Sequence, residues 1–371
     1  MNHTGADNGL TKRMLDRAAW VAARAVGDVE PNPMVGCVIA RGERVIGIGH
    51  HAEFGGLHAE RAALADCRRR GEDPRGATVY CTLEPCRHTG KQPPCTEAIV
   101  GAGIARVVYA RSDPGAESGG GHRELGAAGI VWECSGASVV ATRLSDPFVH
   151  RVRAGLPWVV AKWAQTIDGK IATRTGESQW ITGALMRRRV HRMRARVDAV
   201  LVGMGTVGAD DPMLTARGVG RVRRVASRVV LDTEGRLDGA AALVRTAGDV
   251  PTVVVTASDR RYPGTVRVLR VGRAGGGVDV KEALGGLWTE MGFSTVLVEA
   301  GPRVLGSLLG AGLVNEAFVH IAPMVLGDEA ARGSVVGLDA PRLSDGVRMG
   351  LVRSKVVGGD AELWLRAPVA D

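Results

Sequence analysis

Apolar positions first recur at helical spacing between residues 10 and 26. Leu10, Met14, Leu15, Ala18, Val21, Ala22 and Ala25 share one face there, and Gly27 follows as a stop. Short apolar runs then read as strands over 36–40, 45–48, 78–81 and 106–110. Between the second and third, a helix is expected from about His58 to Gly71, with Ala62, Ala63 and Leu64 on its apolar face. Arg68, Arg69 and Arg70 suit the dipole at its end. Strands alternating with helices predict an α/β layered domain closing near residue 150. A second unit opens at Pro157 with a strand over 158–164 and a helix near 183–196, for which Leu185, Met186, Val190 and Met193 supply one packing stripe. Strands follow at 199–203, 228–232, 252–256, 266–271 and 295–299, then a helix after Gly301 and closing strands near 316–322 and 361–366. The expected domains are residues 1–153 and 154–371, and no long linker or internal repeat marks the chain between them.

Length agrees with two domains, because 371 residues exceed what one hydrophobic core usually organises. Apolar residues make up 45% of the chain, enough for a core in each half, and the 52 glycines are scattered, which excludes collagen-like and low-complexity classes. The net charge is +9, and only six of the 48 basic residues are lysine. Arg, Ala, Gly and Val enrichment of this kind is what a GC-rich genome writes; the remaining excess points to an anionic partner, nucleic acid or a phosphorylated small molecule. The chain start has no apolar core of an export signal, and no run of roughly 18 uncharged apolar residues occurs. A cytoplasmic protein without a membrane partner is expected. Cys37, Cys67, Cys81, Cys86, Cys95 and Cys134 all lie in the first half, so metal ligation is a better reading than disulfides.

Three features carry that chemistry: His58-Ala59-Glu60 at a helix start, Pro85-Cys86 after a strand, and Pro94-Cys95. One imidazole and two thiolates suit Zn2+, and three protein ligands leave a fourth position for water. Glu60 is placed to shuttle a proton as the catalytic residue without binding the metal. The pattern departs from the H-x-E…P-C-x-x-C signature of zinc deaminases, since Cys86 and Cys95 are nine apart. A closed structural site with Cys81 as fourth ligand remains an alternative.

In the second half, Gly203-Met204-Gly205-Thr206-Val207-Gly208 fits a dinucleotide fingerprint, and Asp232 ends a later strand. Pro212 argues against it, because no long helix can follow the glycines, and a single turn is expected. A better phosphate cradle is the strand-to-helix turn at Glu299-Ala300-Gly301-Pro302-Arg303.

The segments EPNPMVGCVIA, HAERAAL and TVYCTLEPCRHTGKQPPC closely resemble the deaminase half of the bifunctional riboflavin-biosynthesis deaminase-reductases, and AKWAQTIDGKIA, GESQWITG, GMGTVGADDPMLTAR and VEAGPRVLGSLL resemble the reductase half. The resemblance implies an N-terminal cytidine-deaminase-like αβα zinc domain and a C-terminal dihydrofolate-reductase-like α/β domain using NADPH. It places His58, Cys86 and Cys95 on zinc, and Asn32, His51, His88 and Lys91 on the pyrimidine and ribose phosphate. It places Ser178, Arg194, Leu214, Arg217 and Glu299 on the reductase substrate, with Arg194 and Arg217 clamping its phosphate. Ala164, Trp180, Thr206, Asp210, Thr233, Gly301, Pro302, Arg303, Val304, Leu305, Gly306 and Ser307 should face NADPH. Lys162, on the strand leading into the site, is the candidate reductase acid. The chain departs from the family at Arg61, where an apolar residue is usual and a surface change is expected, and at Gly115, where Asn is usual and a looser substrate contact is expected. The implied partner is a phosphorylated pyrimidine, in a homo-oligomer (dimer or tetramer). Two rivals share the zinc motif. A nucleic-acid deaminase with a basic appendage needs stacking aromatics that the second half lacks; a structural-zinc module leaves Glu60 without a task.

Overall fold

The computed structural model describes residues 5–368. The chain divides into two compact units, Met1–Gly155 and Leu156–Asp371.

The first unit is built on a five-stranded sheet in the order Arg44–His50, Gly36–Arg41, Thr78–Cys81, Arg106–Tyr109, Val131–Cys134. Gly36–Arg41 is antiparallel to both neighbours, and the last three strands are parallel. Successive side chains alternate between faces. Val38 and Ala40 therefore pack with Met14, Leu15 and Ala18 of helix Gly5–Ala22, while Cys37 and Ile39 pack with Ala63 of helix Ala59–Arg69 and Ile99 of helix Cys95–Gly101. This gives three layers, αβα. Helix Ala59–Arg69 lies against the sheet at van der Waals range of the backbone: a Cβ on Gly49 would stand 2.3 Å from Ala63 N and 2.6 Å from Ala59 O. That approach sets where His58, the residue preceding the helix, is held. Helices Cys95–Gly101 and Gly121–Ala127 do not emerge from the hydrophobic pattern, because seven residues are too few for a helical period to register. The expected boundary segment is itself a helix, Asp146–Ala154, closed by Gly155 at φ 66°.

The second unit carries a nine-stranded sheet in the order Val266–Arg270, Thr252–Thr256, Ser227–Leu231, Ala199–Gly203, Thr295–Val298, Trp158–Thr166, Glu316–Ala322, Asp360–Arg366, Gly350–Val357. The first seven run parallel, Asp360–Arg366 is antiparallel to them, and Gly350–Val357 is antiparallel to Asp360–Arg366 in turn. Val159 and Ala161 pack under helices Val280–Thr289 and Pro302–Gly310, and Trp158 and Val160 join the opposite core with Val197, Val207 and Leu243. The chain passes from Trp158–Thr166 to Ala199–Gly203 and later returns with Thr295–Val298 between them. Crossovers thus leave in opposite directions there, and the carboxyl ends of strands at such a switch point are where α/β sheets form a ligand crevice.

Three expectations are corrected here. Leu185 is 51% exposed, since only Met186 and Val190 of helix Ala184–Arg194 turn fully inward. The glycine-rich segment forms a seven-residue helix, Met204–Asp210, longer than one turn; it stops at Asp211, whose φ of 37° lets the chain leave before Pro212. Leu305 and Gly306 do not belong to an open cofactor surface, because Leu305 is wholly buried in the core and the backbone of Val336 covers Gly306. Asp232 is also buried, accepting from Arg236 N, Leu237 N and the Tyr262 hydroxyl, so no carboxylate is offered to a dinucleotide ribose.

A Cβ on Gly306 would lie 1.9 Å from the Val336 carbonyl oxygen, and Val336 N also donates to Pro302 O at 3.2 Å. Gly306→Ala must push this segment off the helix. The expected loss is about 2 kcal/mol, seen as a fall of roughly 4–8 °C in the melting of the second unit. Calorimetry of the full chain checks this, with the zinc content of the first unit expected to stay unchanged.

Candidate functional site

In the first unit, His58 caps the start of helix Ala59–Arg69 and Cys95 is the first residue of helix Cys95–Gly101. Cys86 lies in the loop after strand Thr78–Cys81, and its carbonyl accepts from Cys95 N at 3.0 Å and Thr96 N at 3.2 Å. These bonds bring the two thiols together. His58 Nδ1 is 3.4 Å from each sulfur, and the three donor atoms lie within 4.8 Å of one another. Around a tetrahedral zinc, with Zn–N about 2.0 Å and Zn–S about 2.3 Å, nitrogen and sulfur stand roughly 3.5 Å apart. The donor set therefore fits that ion. Cys81 is not a fourth ligand: it is the cross-strand partner of Cys37, and its thiol bonds to that of Cys37, with burial pushing its pKa well up.

A thiol hydrogen bond from Cys95, reinforced by His58, draws the Cys86 thiol down to about 4 against the opposing effect of burial. Glu60 sits in the first helical turn, 4% exposed, and burial together with the charge of Cys86 pushes its carboxyl up to about 7.

A cleft of about 580 Å³ opens over these groups, and Asn32, His51, His88 and Lys91 all line it. His51 Nδ1 donates to Leu57 O at 3.0 Å, which leaves Nε2 to accept from Asn32 Nδ2 at 3.2 Å. The Asn32 oxygen is consequently the atom left for a ligand. Burial lowers the pKa of His51. Lys91 Nζ lies 3.8 Å above the Phe54 ring. Sequence reasoning passes over Glu84 and Asp113, which also line the cleft. Glu84 accepts from Asp113 N, His122 N and His122 Nδ1, fixing the loop opposite the metal; burial alone would raise its pKa, but these donors bring it below the usual range. The only sequence signal was a carboxylate beside Pro85-Cys86. At Gly115, N donates to Asp113 Oδ1 at 2.8 Å and a Cβ would stand 2.2 Å from Ser118 Oγ, so a larger residue there requires the Ser118 hydroxyl to turn away. Arg61 is no free surface residue. Its guanidinium donates to Pro94 O at 2.9 Å and Pro93 O at 3.3 Å.

In the second unit, Lys162 and Ala164 share one face of strand Trp158–Thr166 at the crevice. Arg194 meets Glu299 through Nε and Nη2, at 2.6 and 2.9 Å, and its Nη1 donates to Thr215 O at 3.2 Å. Its fork is thus closed by Glu299 and not open to a phosphate, whereas Arg217 is exposed. Burial raises the Glu299 pKa, yet Arg194 and Lys162 return it below the ordinary value; burial lowers that of Lys162. Leu214 is buried at φ 54°, and Ser178 and Trp180 lie on the segment before helix Ala184–Arg194, with the Arg187 guanidinium 4.4 Å from the Trp180 ring. Gln179 Nε2 donates to Asp210 Oδ1 at 3.1 Å. Thr206 and Gly301 adjoin at the ends of neighbouring strands, where Gly301 and Pro302 begin helix Pro302–Gly310; Arg303 and Ser307 point outward and Val304 is half-buried. Thr233 follows strand Ser227–Leu231, the neighbour of Ala199–Gly203, and its hydroxyl accepts from Val278 N at 3.1 Å.

Residues 10–111 match the family model of the cytidine and deoxycytidylate deaminase zinc-binding region, and residues 157–363 that of the RibD C-terminal domain. The riboflavin biosynthesis protein RibD of Escherichia coli is 36% identical over 361 residues, covering 94% of this chain and 97% of that protein. RibD of Aquifex aeolicus is 37% identical over 332 residues, covering 88% and 90%. The Thermotoga maritima diaminohydroxyphosphoribosylaminopyrimidine deaminase/5-amino-6-(5-phosphoribosylamino)uracil reductase superposes with a TM-score of 0.84 at 34% identity, covering 98% of this chain and all of that one. The match of the second half to a reductase domain removes the nucleic-acid deaminase reading. With a zinc-type donor set in one unit, a crevice in a parallel sheet in the other and end-to-end similarity to these proteins, the chain belongs to the RibD family of bifunctional deaminase-reductases of riboflavin biosynthesis.

Proposed function

We propose that the two units act in turn on one phosphorylated pyrimidine: hydrolytic deamination of 2,5-diamino-6-(5-phosphoribosylamino)pyrimidin-4(3H)-one in the first, then NADPH-dependent reduction of the ribosyl group to ribityl in the second. The observation that carries the reading is the His58, Cys86 and Cys95 donor set with buried Glu60 beside it, in a chain whose second half is a reductase domain. Zinc held there supplies a Lewis acid that makes water a nucleophile near neutral pH. Glu60 carries protons from that water to the pyrimidine ring nitrogen and the departing ammonia. The Asn32 carboxamide, oriented by His51, accepts from the ring, and Lys91 with His88 takes the phosphate end.

In the second unit the Gly301–Pro302 turn and the outward side of the helix it opens, with Arg303, Val304 and Ser307, would hold the pyrophosphate of NADPH, and Ala164, Trp180, Thr206, Asp210 and Thr233 would line its remaining length; the bound cofactor would supply the hydride for C1′. Lys162 Nζ gives the proton that the opening ribose oxygen needs. Glu299, held by Arg194, keeps that ammonium charged and in place, and Ser178, Leu214 and Arg217 meet the substrate, with Arg217 on its phosphate. The thiols that serve the metal must stay reduced, which suits a cytoplasmic enzyme; a homo-oligomer is the expected assembly.

Purified protein incubated with the diaminopyrimidinone phosphate, with and without NADPH, should release ammonia in both cases and consume nicotinamide absorbance only when NADPH is present. Loss of either signal overturns the corresponding half. Glu60→Gln should retain zinc and lower ammonia release by at least about a hundred-fold; zinc loss in this variant would make Glu60 a ligand. Cys86→Ser should lose zinc and deamination while still reducing pre-deaminated substrate.

Arg194→Ala strands a buried carboxylate, so reductase kcat/KM should fall by roughly a hundred-fold or more, with deamination intact and Arg188→Ala near neutral. Because the damage comes from unpaired Glu299, the double variant Arg194→Ala/Glu299→Gln should recover part of the lost thermal stability. Strictly additive losses would show that the pair is not the operative contact.

A further inference from the structure

We propose that Arg61 is a positioning residue of the metal centre, tying the segment that carries Cys95 to the helix that carries His58; the inference rests on the zinc reading above. The loop between the two cysteine ligands ends in Pro93-Pro94, and neither proline has an N–H. This stretch can accept hydrogen bonds but cannot donate them. Both of its carbonyls are taken by one guanidinium, Arg61 Nη2 to Pro94 O at 2.9 Å and Nε to Pro93 O at 3.3 Å. Pro94 immediately precedes helix Cys95–Gly101, and Arg61 lies in the first turn after His58, so the bond joins the two helix starts that present ligands.

The rest of the loop has its own anchors. Arg87 N donates to Ser118 O, Arg87 Nε to Gly119 O at 2.6 Å, and Gln92 Nε2 to Gly55 O at 3.3 Å. These hold the Cys86 end and the middle; at the Cys95 end the bonds of Cys95 N and Thr96 N to Cys86 O tie the two cysteines to each other, and Arg61 adds the tie from that end to the His58 helix. Arg61 is not among the residues lining the cleft, which separates its task from substrate contact. Its positive charge opposes a cation in the site, whereas its bonds favour the geometry that binds one. The two effects have opposite signs, so experiment can separate them.

The test measures zinc release to a chromogenic chelator from the full chain, comparing wild type, Arg61→Met and Arg61→Lys. Arg61→Met keeps the long stem and loses both bonds; it should release zinc about ten-fold faster. Arg61→Lys keeps the charge and one donor, and should fall between. Excess zinc should restore deamination in Arg61→Met with KM unchanged, which reports that the first unit is folded, and reductase turnover reports the same of the second. Unchanged or slower zinc release in Arg61→Met overturns the proposal, slower release meaning that charge repulsion dominates. A raised KM at saturating zinc also overturns it, by placing Arg61 on the substrate. Should Arg61→Met prove insoluble, Arg61→Lys with wild-type release overturns it equally. Wild-type protein that takes up no zinc overturns the metal centre itself, before any substitution is compared.

Discussion

Parallel strands cannot be joined by tight turns, and that constraint organises both units. Crossovers leave the carboxyl edge of the sheet and mostly return through a helix, the link from Thr252–Thr256 to Val266–Arg270 being a plain loop, so loops and helix starts collect along that edge. In the first unit, Thr78–Cys81 runs into Glu84 and Cys86, and its parallel neighbour Arg106–Tyr109 runs into Asp113. In the second, Thr295–Val298 runs into Glu299 and Gly301 beside Ala199–Gly203, which runs into Thr206. Two unrelated chemistries thus stand on the same architectural edge.

What makes these edges work as sites is that each buried charge is supplied with partners from distant segments. Glu84 draws donors from residues 113 and 122, and Glu299 is forked by Arg194 and faced by Lys162. In a medium of low polarity an unpartnered carboxylate would take a proton instead of holding a charge. Glu60 is the contrasting case. Burial and the neighbouring thiol push its carboxyl up to about 7, which suits the proton-carrying role proposed for it.

The same logic changes how the arginines are read. As a composition, the excess of arginine suggests anionic partners. In place, Arg194 holds the carboxylate of Glu299, Arg189 pairs with buried Glu362, and Arg228 is fully buried among Thr252, Thr246 and the carbonyls of Leu243 and Val250. Much of the basic charge therefore serves internal order.

The local signals were legible in the chain by itself. Strong β runs, the His58 helix start, the paired Pro-Cys elements and the Pro212 break each depend on residues close together, so alternation, capping chemistry and ligand type sufficed to place both units and the metal donors. The short helices Cys95–Gly101 and Gly121–Ala127 escaped, because their stability comes from packing and not from periodicity. Partnership across the fold escaped as well: that Arg194 closes on Glu299, that Cys81 faces Cys37 and not the metal, that Glu84 holds the opposite loop, and that Arg61 reaches Pro93 and Pro94. Residue type says what a side chain can bond. Which bond it makes is decided by the partner that burial brings within about 3 Å, and only the tertiary structure sets that distance.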